Sequence, residues 1–365
     1  KRAGSKINTK QNLQCNCVYT LYFFLLCKVF YLIHSYENLF VRKINLFFSQ
    51  IFSYNSKIKH MHNNSENIIV GSRKSLLAKK HIDIFETQLS KNVSSRIKIQ
   101  KKFFKTTGDR FLNEKISDLG NKGLFSKEID EALLKFEINL GIHSLKDLPT
   151  KLPKGIEIAA TLKRENFRDA IVSNRNSNIK ELPAKSIIGT SSIRRAMQIK
   201  KIRPDLIIKD IRGNVDTRLK KLKEKSYDAI ILAHAGLKRL DIKKSYKTID
   251  PRVMVPALGQ GTIALVVNVK NINLNRVIRK LNHTKTFLET ECERIFLNAL
   301  DGSCQTPVGG YAILKKINNK DKIIFNFIAF SQDGARCVKD KIYLDIKNFK
   351  SESYKLGVKI RNQIR

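Results

Sequence analysis

Short apolar runs alternate with amphipathic segments along the chain from residue 67 onward. The run at 67–70 predicts a strand, and Ser75 is suited to cap the helix that the spacing of the next apolar residues predicts. Further strands are predicted at 96–104, 138–142, 186–188, 206–211, 228–232, 322–330 and 337–344, and helices at 124–136, from 193, and at 215–222, 235–240 and 286–300. Strands that alternate with helices predict an α/β fold with largely parallel sheets.

The first 65 residues follow a different pattern. An apolar run at 18–33 is interrupted only by Lys28 and is shorter than the ~20 residues of a membrane span. A basic start before such a run is typical of a signal peptide, and the basic, acid-free residues 42–65 are typical of a transit peptide. We therefore expect 1–65 to be a bipartite leader that directs the chain to an apicoplast-like plastid. Two alternatives stay open: a low-complexity extension on a cytoplasmic protein, and an inserted membrane anchor.

The composition adds a strong positive charge. The 365 residues are 42% hydrophobic, which is enough for two or three domains. Lys and Arg number 70 against 32 Asp and Glu, and removing the nine bases and one acid of residues 1–65 still leaves 61 against 31. Such an excess indicates a polyanionic partner: nucleic acid, an anionic membrane, or a ligand rich in carboxylates or phosphates. Three Cys follow residue 65, and this odd number argues against a disulfide framework.

Basic residues gather at the predicted turns between strands and helices. Arg73 precedes the first helix, and Arg194 and Arg195 lie in the first turn of another, where the helix dipole disfavours cations. Arg212 and Arg218 flank a further turn. Guanidinium groups, hydroxyls and free backbone N–H groups at such turns bind anions. Because ligands of open α/β sheets bind at the carboxyl ends of the strands, we predict an anion-binding site there.

Two further residues are candidates for chemistry. Asp147 directly follows a predicted strand, and a carboxylate among so many cations could stabilise a developing positive charge or transfer protons. From the local sequence alone, a helix cap or an ion pair with Lys146 fits better. Cys304 lies in the tight loop DGSCQTP, which fits a nucleophilic or covalently modified thiol, or a spare loop cysteine. The sequence contains no GxGxxG, Walker or CxxC motif and no acidic metal-binding cluster.

Nine segments in order carry a resemblance to one family. The segments are RKSLLA (73–78), GNKGLFSKEID (120–130), IHSLKDLP (142–149), GTSSIRR (189–195), IRGNVDTRL (211–219), YDAIILAHAGLKRL (227–240), PALGQG (256–261), ERIFL (293–297) and DGSCQTPVGGYA (301–312). Over residues 66–365 the chain resembles the porphobilinogen deaminase family, also called hydroxymethylbilane synthase. One departure is Asp118, which stands where the family usually has a basic residue, near the expected active-site loop.

The resemblance implies three α/β domains. The first two resemble type II periplasmic binding proteins, and the third is a small α/β domain that carries a cysteine on a loop. The implied ranges are 66–162 with 263–280 for the first domain, 168–256 for the second and 285–365 for the third. The segments near 163–167 and 257–262 would act as hinges.

The resemblance also implies a reaction. Four porphobilinogen molecules are condensed head to tail with release of ammonia, giving hydroxymethylbilane, a haem precursor. Cys304 would hold a dipyrromethane cofactor by a thioether, and Asp147 would be the catalytic aspartate. Further cofactor or substrate contacts are implied for Arg73, Ser75, Lys122, Lys146, Thr190, Ser191, Ser192, Arg194, Arg195, Arg212, Arg218 and Arg239. Family members are usually monomers, so a monomer is expected, with no nucleic acid, metal ion or membrane bound by the mature domains.

The residues agree with this chemistry. Each pyrrole brings two carboxylates, and bidentate arginine is a suitable partner for them. Two rival functions are a nucleic-acid binder and a non-catalytic anion-binding module of the periplasmic-binding-protein type. The basic residues lack interleaved surface aromatics, which disfavours the first rival. The second rival would need neither Cys304 nor Asp147.

Overall fold

The computed structural model describes residues 67–93, 97–110, 123–175, 177–301 and 306–365. The predicted leader at 1–65, Asp118, Lys122 and Cys304 lie outside the described residues. The strands are β1 (Asn67–Arg73), β2 (Lys98–Phe104), β3 (Leu140–Ser144), β4 (Ile156–Thr161), β5 (Asp169–Ser173), β6 (Ile187–Gly189), β7 (Ile207–Lys209), β8 (Ala229–Ala233), β9 (Lys247–Thr248), β10 (Ile263–Asn268), β11 (Val308–Ile317), β12 (Lys320–Phe330) and β13 (Cys337–Asp345). The helices are α1 (Leu76–Asn92), α2 (Thr107–Arg110), α3 (Lys127–Leu134), α4 (Ile193–Ile202), α5 (Val215–Lys223), α6 (His234–Arg239), α7 (Ile272–Arg279), α8 (Thr284–Ala299) and α9 (Phe349–Ile364), and 3₁₀ turns form at Leu145–Asp147 and Ile179–Glu181.

The first two sheets share one topology. The first has the strand order β2-β1-β3-β10-β4, and the second has β7-β6-β8-β5-β9. In each, four strands run in the same direction, and the fourth strand in the sheet order pairs antiparallel with both of its neighbours. These antiparallel strands are β10 in the first sheet and β5 in the second. Because β10 returns to the first sheet after the strands of the second are complete, the chain crosses between the two sheets twice.

The third sheet differs from the other two. Its order is β11-β12-β13, and both pairings are antiparallel. Helices α8 and α9 pack together with its core, where Phe296, Phe325 and Phe327 are buried with ring centroids 5.0–5.7 Å apart. This confirms the α/β fold class, with a small third sheet-and-helix unit. The expectation of largely parallel sheets holds for the first two sheets, in which four of five strands run in the same direction. It is wrong for the third sheet, which is wholly antiparallel.

The antiparallel strands β10 and β5 lie in the interior. All six residues of β10, IALVVN, are buried, and so are all five of β5, DAIVS. Such runs fit strands that are covered on both faces. The predicted domain boundaries stay predictions, while the sheets themselves draw on residues 67–161 with 263–268, on 169–248 and on 308–345. Within the described part of the chain, no helix combines the length and the apolar character needed to cross a membrane.

Candidate active site

One cavity collects the carboxyl ends of strands from both mixed sheets. Its volume is about 370 Å³, within the range of small-molecule sites. It is lined by Arg73 at the end of β1, by the turn after β3, and by Ala233 at the end of β8. The first turns of α4 and α5 complete it, together with Leu297, Thr306 and Val308 from the chain around the third sheet. The strand-end position expected from the sequence is therefore observed.

Asp147 and Arg73 face each other on the side of the first sheet. The Arg73 guanidinium binds Asp109 twice, with Nη2 2.5 Å from Oδ1 and Nε 3.2 Å from Oδ2. Its Nη1 lies 4.0 Å from Asp147 Oδ2, and the Phe125 ring lies 4.5 Å from the guanidinium carbon. Burial alone would lower the pKa of Arg73, but Asp109 and Asp147 raise it, so Arg73 stays cationic. The Asp147 side chain is 32% exposed and is open to the cavity.

On the side of the second sheet, Arg194 and Arg195 share one carboxylate. Asp169 is fully buried and accepts bonds from Arg194 Nη1 at 2.8 Å and from Arg195 Nη2 at 2.7 Å. The two arginines also donate to the carbonyls of Val255 and Ile231. Burial opposes the charge of Asp169, but the two guanidinium groups hold its pKa well below the usual range. This ion cluster offsets the unfavourable position of two cations in the first turn of α4.

Helix ends add to the positive potential of the cavity. The helices α4 and α5 begin after Ser192 and Asn214, and neither residue caps its helix with a side-chain hydrogen bond. Both residues line the cavity, so the positive ends of the two helix dipoles lie at its wall. Arg212 and Arg218 stand beside the second of these ends, and Arg218 Nε donates to the Gly213 carbonyl at 2.8 Å.

The cavity is rich in cations even after its histidines are counted as neutral. Burial lowers the pKa of His81 and His143 to about 3, and neighbouring cations act in the same direction. Burial also lowers the pKa of Lys146, while Asp147 acts in the opposite direction. Among the described residues, six cationic side chains line the cavity against three carboxylates: Arg73, Lys146, Arg194, Arg195, Arg212 and Arg218 against Asp109, Asp147 and Asp216. The surplus favours a ligand that carries several negative charges.

Most of the residues predicted for the site meet in this cavity. Those that line it are Arg73, Ser75, Lys146, Asp147, Ser191, Ser192, Arg194, Arg195, Arg212 and Arg218. Lys122 and Cys304 are not described, although Thr306 and Val308, which follow Cys304 closely, line the cavity. No group of His, Cys, Asp and Glu side chains in the described residues is arranged to hold a metal ion.

Two predicted contacts lie behind the cavity wall. Thr190 is 2% exposed, and its hydroxyl accepts a bond from the Ser192 N–H. Arg239 donates to the Gly261 carbonyl at 2.6 Å and lies 3.1 Å from His81 Nε2. Neither residue lines the cavity, because each is held by the backbone or by a buried neighbour. The ligand contacts implied for Thr190 and Arg239 stay predictions.

Sequence reasoning missed three residues of the site. Asp109 orients Arg73, Asp169 holds the arginine pair, and Gln260 joins the two sides of the cavity. Asp109 lies in the segment TTGDR, and Gln260 lies in PALGQG, so a sequence signal was present for both. Asp169 stands at the start of an apolar run, a position that indicates only the beginning of a strand.

Comparisons with known proteins identify the same family along both parts of the chain. A family model described as porphobilinogen deaminase, dipyromethane cofactor binding domain, matches residues 68–276. A second, described as porphobilinogen deaminase, C-terminal domain, matches residues 287–365. The two together span the three sheets described above.

Curated relatives carry the same name. A porphobilinogen deaminase of a Nitratiruptor species is 42% identical over 282 residues, covering 76% of this chain and 87% of the relative. One of Oceanobacillus iheyensis is 41% identical over 278 residues, covering 75% and 88%. Among solved structures, an ancestral arginine-binding protein bound to arginine covers 59% of this chain and 90% of its own, with 15% identity and a TM-score of 0.35. That TM-score is too low to add to the argument.

Proposed function

The chain belongs to the porphobilinogen deaminase family, and we propose that the cavity around Asp147 is its active site. The enzyme is a transferase of porphyrin biosynthesis that condenses four porphobilinogen molecules head to tail, releases ammonia and gives hydroxymethylbilane. Its cofactor is a dipyrromethane. The observation that carries the site assignment is the ring of six cations around one cavity that also contains Asp147.

The residues of the cavity fit the dipyrromethane. Its four carboxylates need cationic partners, and the described part of the cavity wall supplies a surplus of three cations over carboxylates. Arg194, Arg195, Arg212 and Arg218 would hold the carboxylates of this group and of the rings joined to it, because they stand at helix ends of positive potential. Cys304 would form the thioether, and Thr306, two residues later, lines the cavity. When bound, this group supplies the pyrrole end to which the first substrate is joined.

Asp147 performs two tasks in this proposal. Loss of ammonia from the aminomethyl group of porphobilinogen leaves a cationic azafulvene, which a nearby carboxylate stabilises. The same carboxylate accepts the proton that is lost when the next ring is joined. Its distance of 4.0 Å from Arg73 Nη1 keeps a counter-ion close without a tight ion pair, so the carboxylate stays accessible from the cavity.

Asp147→Asn tests this role. The carboxylate charge is lost while the volume is kept, so we expect turnover of porphobilinogen to fall at least ~100-fold with the cofactor still attached. Asp216→Asn is the matched control, because Asp216 lines the same cavity at the exposed start of α5 and should leave turnover within about threefold. Hydroxymethylbilane formation and intact-protein mass are measured together. Near-normal turnover of Asp147→Asn would refute the assignment.

Cys304→Ser tests the attachment site. We expect the mass increment of one dipyrromethane and the colour with Ehrlich's reagent to disappear, because a hydroxyl is a far weaker nucleophile than a thiolate. Cys337→Ser is the control, since Cys337 starts β13 and does not line the cavity. A retained increment in Cys304→Ser would place the attachment elsewhere. Neither the nucleic-acid binder nor the anion-binding module predicts any colour in the unmodified protein.

We also propose that residues 1–65 direct the chain to a plastid and that the mature enzyme is a monomer. The support is the short apolar run at 18–33 followed by the basic, acid-free stretch at 42–65. Fusion of residues 1–65 to a fluorescent protein should place it in the plastid of a host with a secondary plastid. A cytosolic signal would contradict the leader. Light scattering on residues 66–365 should give the mass of a single chain.

A further inference from the structure

We propose that Asp169 is a positioning residue for the Arg194–Arg195 pair, and that Gln260 connects this pair to the turn that carries Asp147. The inference rests on the proposed function, because it assigns the arginine pair to the carboxylates of the growing pyrrole chain. It concerns Asp169, which binds those arginines and does not line the cavity, and Gln260, which binds Asp169.

The position of Asp169 follows from the antiparallel direction of β5. Asp169 is the first residue of β5, which runs antiparallel to β8 and pairs Asp169 with Ala233. Because β8 ends at Ala233, the start of β5 lies at the carboxyl edge of the parallel strands. A carboxylate at the start of a strand therefore lies at the edge of the second sheet where the neighbouring strands end. The residue is fully buried, so its carboxylate needs partners.

The bonds to Asp169 fix the orientation of both guanidinium groups. Arg195 binds Oδ1 through Nε at 3.2 Å and Nη2 at 2.7 Å, while its Nη1 donates to the Ile231 carbonyl at 2.8 Å. Arg194 uses Nη1 for both Oδ2, at 2.8 Å, and the Val255 carbonyl, at 2.6 Å. The cluster of two cations and one anion keeps one net positive charge. The cluster therefore still attracts carboxylates, although the bonds to Asp169 restrict the rotation of both arginine side chains.

Gln260 joins this cluster to the opposite wall. It is fully buried, and its Nε2 donates to Asp169 Oδ1 at 2.9 Å and to the Phe167 carbonyl at 2.8 Å. Its Oε1 lies 3.4 Å from Nζ of Lys146, the residue before Asp147. One amide thus contacts the arginine cluster, the crossing segment and the Asp147 turn. This arrangement fixes the spacing between the carboxylate-binding groups and the reacting centre.

The proposal predicts a particular kinetic signature. The arginine pair binds carboxylates that do not react, so it stabilises ground state and transition state alike. Misplacing it should raise KM for porphobilinogen with little change in kcat. A merely structural role would instead reduce the fraction of active enzyme, which lowers apparent kcat at unchanged KM. The two roles are therefore separable by steady-state kinetics.

The test uses the cofactor-loaded enzyme and three variants. Asp169→Asn should raise KM for porphobilinogen at least ~10-fold. Short covalent intermediates should also accumulate in the intact mass spectrum, because each added ring brings more carboxylates to misplaced arginines. Gln260→Met keeps the ion cluster and the side-chain volume, and should raise KM about threefold to tenfold. Asp205→Asn, at an ion pair with Arg203 that does not line the cavity, is the control and should change neither quantity.

Each outcome decides the proposal. Unchanged KM and an unchanged distribution of intermediates in Asp169→Asn, with wild-type melting temperature, would overturn it. If Asp169→Asn does not accumulate as folded protein, Gln260→Met decides alone, and an unchanged KM in that variant overturns the proposal. If the wild-type enzyme made no hydroxymethylbilane, the proposed function itself would be refuted. Primer loading, read by intact mass, gives a second readout that does not depend on turnover.

Discussion

The buried ion pair of Arg164 and Glu293 should be a main determinant of stability where the crossing segment meets the third sheet. Glu293 lies on α8 and is fully buried, and its carboxylate accepts four bonds. Arg164 donates to Oε1 at 2.5 Å and to Oε2 at 3.2 Å. The backbone N–H groups of Gly259 and Ala312 donate to the same two oxygens at 2.6 and 2.8 Å. One side chain therefore holds two crossing segments and β11.

The expected loss follows from these four bonds. Glu293→Gln keeps one acceptor oxygen and turns the other into a donor, so one guanidinium N–H and one backbone N–H lose their acceptor. Arg164 is also left as an uncompensated buried cation, with only 6% of its side chain exposed. Breaking a buried pair in this way costs about 3–5 kcal/mol of unfolding free energy. Arg164→Met removes the other charge, so the double variant should lose clearly less than the sum of the two single losses.

Urea unfolding followed by circular dichroism at about 222 nm, the helical band, measures these differences. Circular dichroism is chosen because the chain contains no Trp. Lys220→Ala breaks the exposed pair with Glu224 at the end of α5 and serves as control, with an expected change below about 1 kcal/mol. If Glu293→Gln lowered the unfolding free energy by less than about 1 kcal/mol, the buried pair would not be a main determinant of stability at this junction. Strict additivity of the single and double variants would contradict the coupling.

Two further changes give results that the structure determines. Burial raises the pKa of Asp130 from 3.8 to about 6, so the folded state loses stability as the pH rises from about 4 to 6. Asp130→Asn removes this titration, so its unfolding free energy relative to the wild type should increase by about 2 kcal/mol between about pH 4 and pH 7.5 in the same urea assay. A difference that is the same at both pH values would contradict this. Gly261 has φ +88°, and an added Cβ would lie 2.5 Å from the Glu165 carbonyl oxygen. Gly261→Ala should therefore lower the unfolding free energy by at least about 2 kcal/mol. Gly334→Ala is the control: Gly334 also has a positive φ but lies in an open loop, so the loss should be smaller.

Strand-end residues were accessible to sequence reasoning because their signal is local. Arg73, Asp147 and Arg194 each follow an apolar run, and the carboxyl ends of parallel strands meet at one edge. The sequence therefore predicts which of these side chains share a site without knowledge of the strand order. Asp169 is different, because its role is recognised only once β5 has paired with β8 and the carboxylate lies beside Arg194 and Arg195.

The dependence on distant strand pairing also explains which elements the hydrophobic pattern did not predict correctly. The pattern predicts neither β5 nor β10, since a short apolar run does not reveal its partners or its direction. The helix predicted at 124–136 is shorter, Lys127–Leu134, and Phe136 adopts φ 57° after its end. Phe125, which the pattern included in the helix, lies before its start and contacts the Arg73 guanidinium.

The two crossings between the sheets also constrain how the cavity can change its width. The two crossing segments are bonded to each other, with Glu165 N donating to the Gly261 carbonyl at 3.1 Å and Arg164 Nε donating to the Gln260 carbonyl at 2.9 Å. Each of the two sheets that they join contains an antiparallel strand whose residues are all buried. A pyrrole chain that grows by four rings needs more room at each step. Because bending a packed sheet disrupts its core while turning about a two-stranded connection does not, we expect the added room to come from rotation at these crossings.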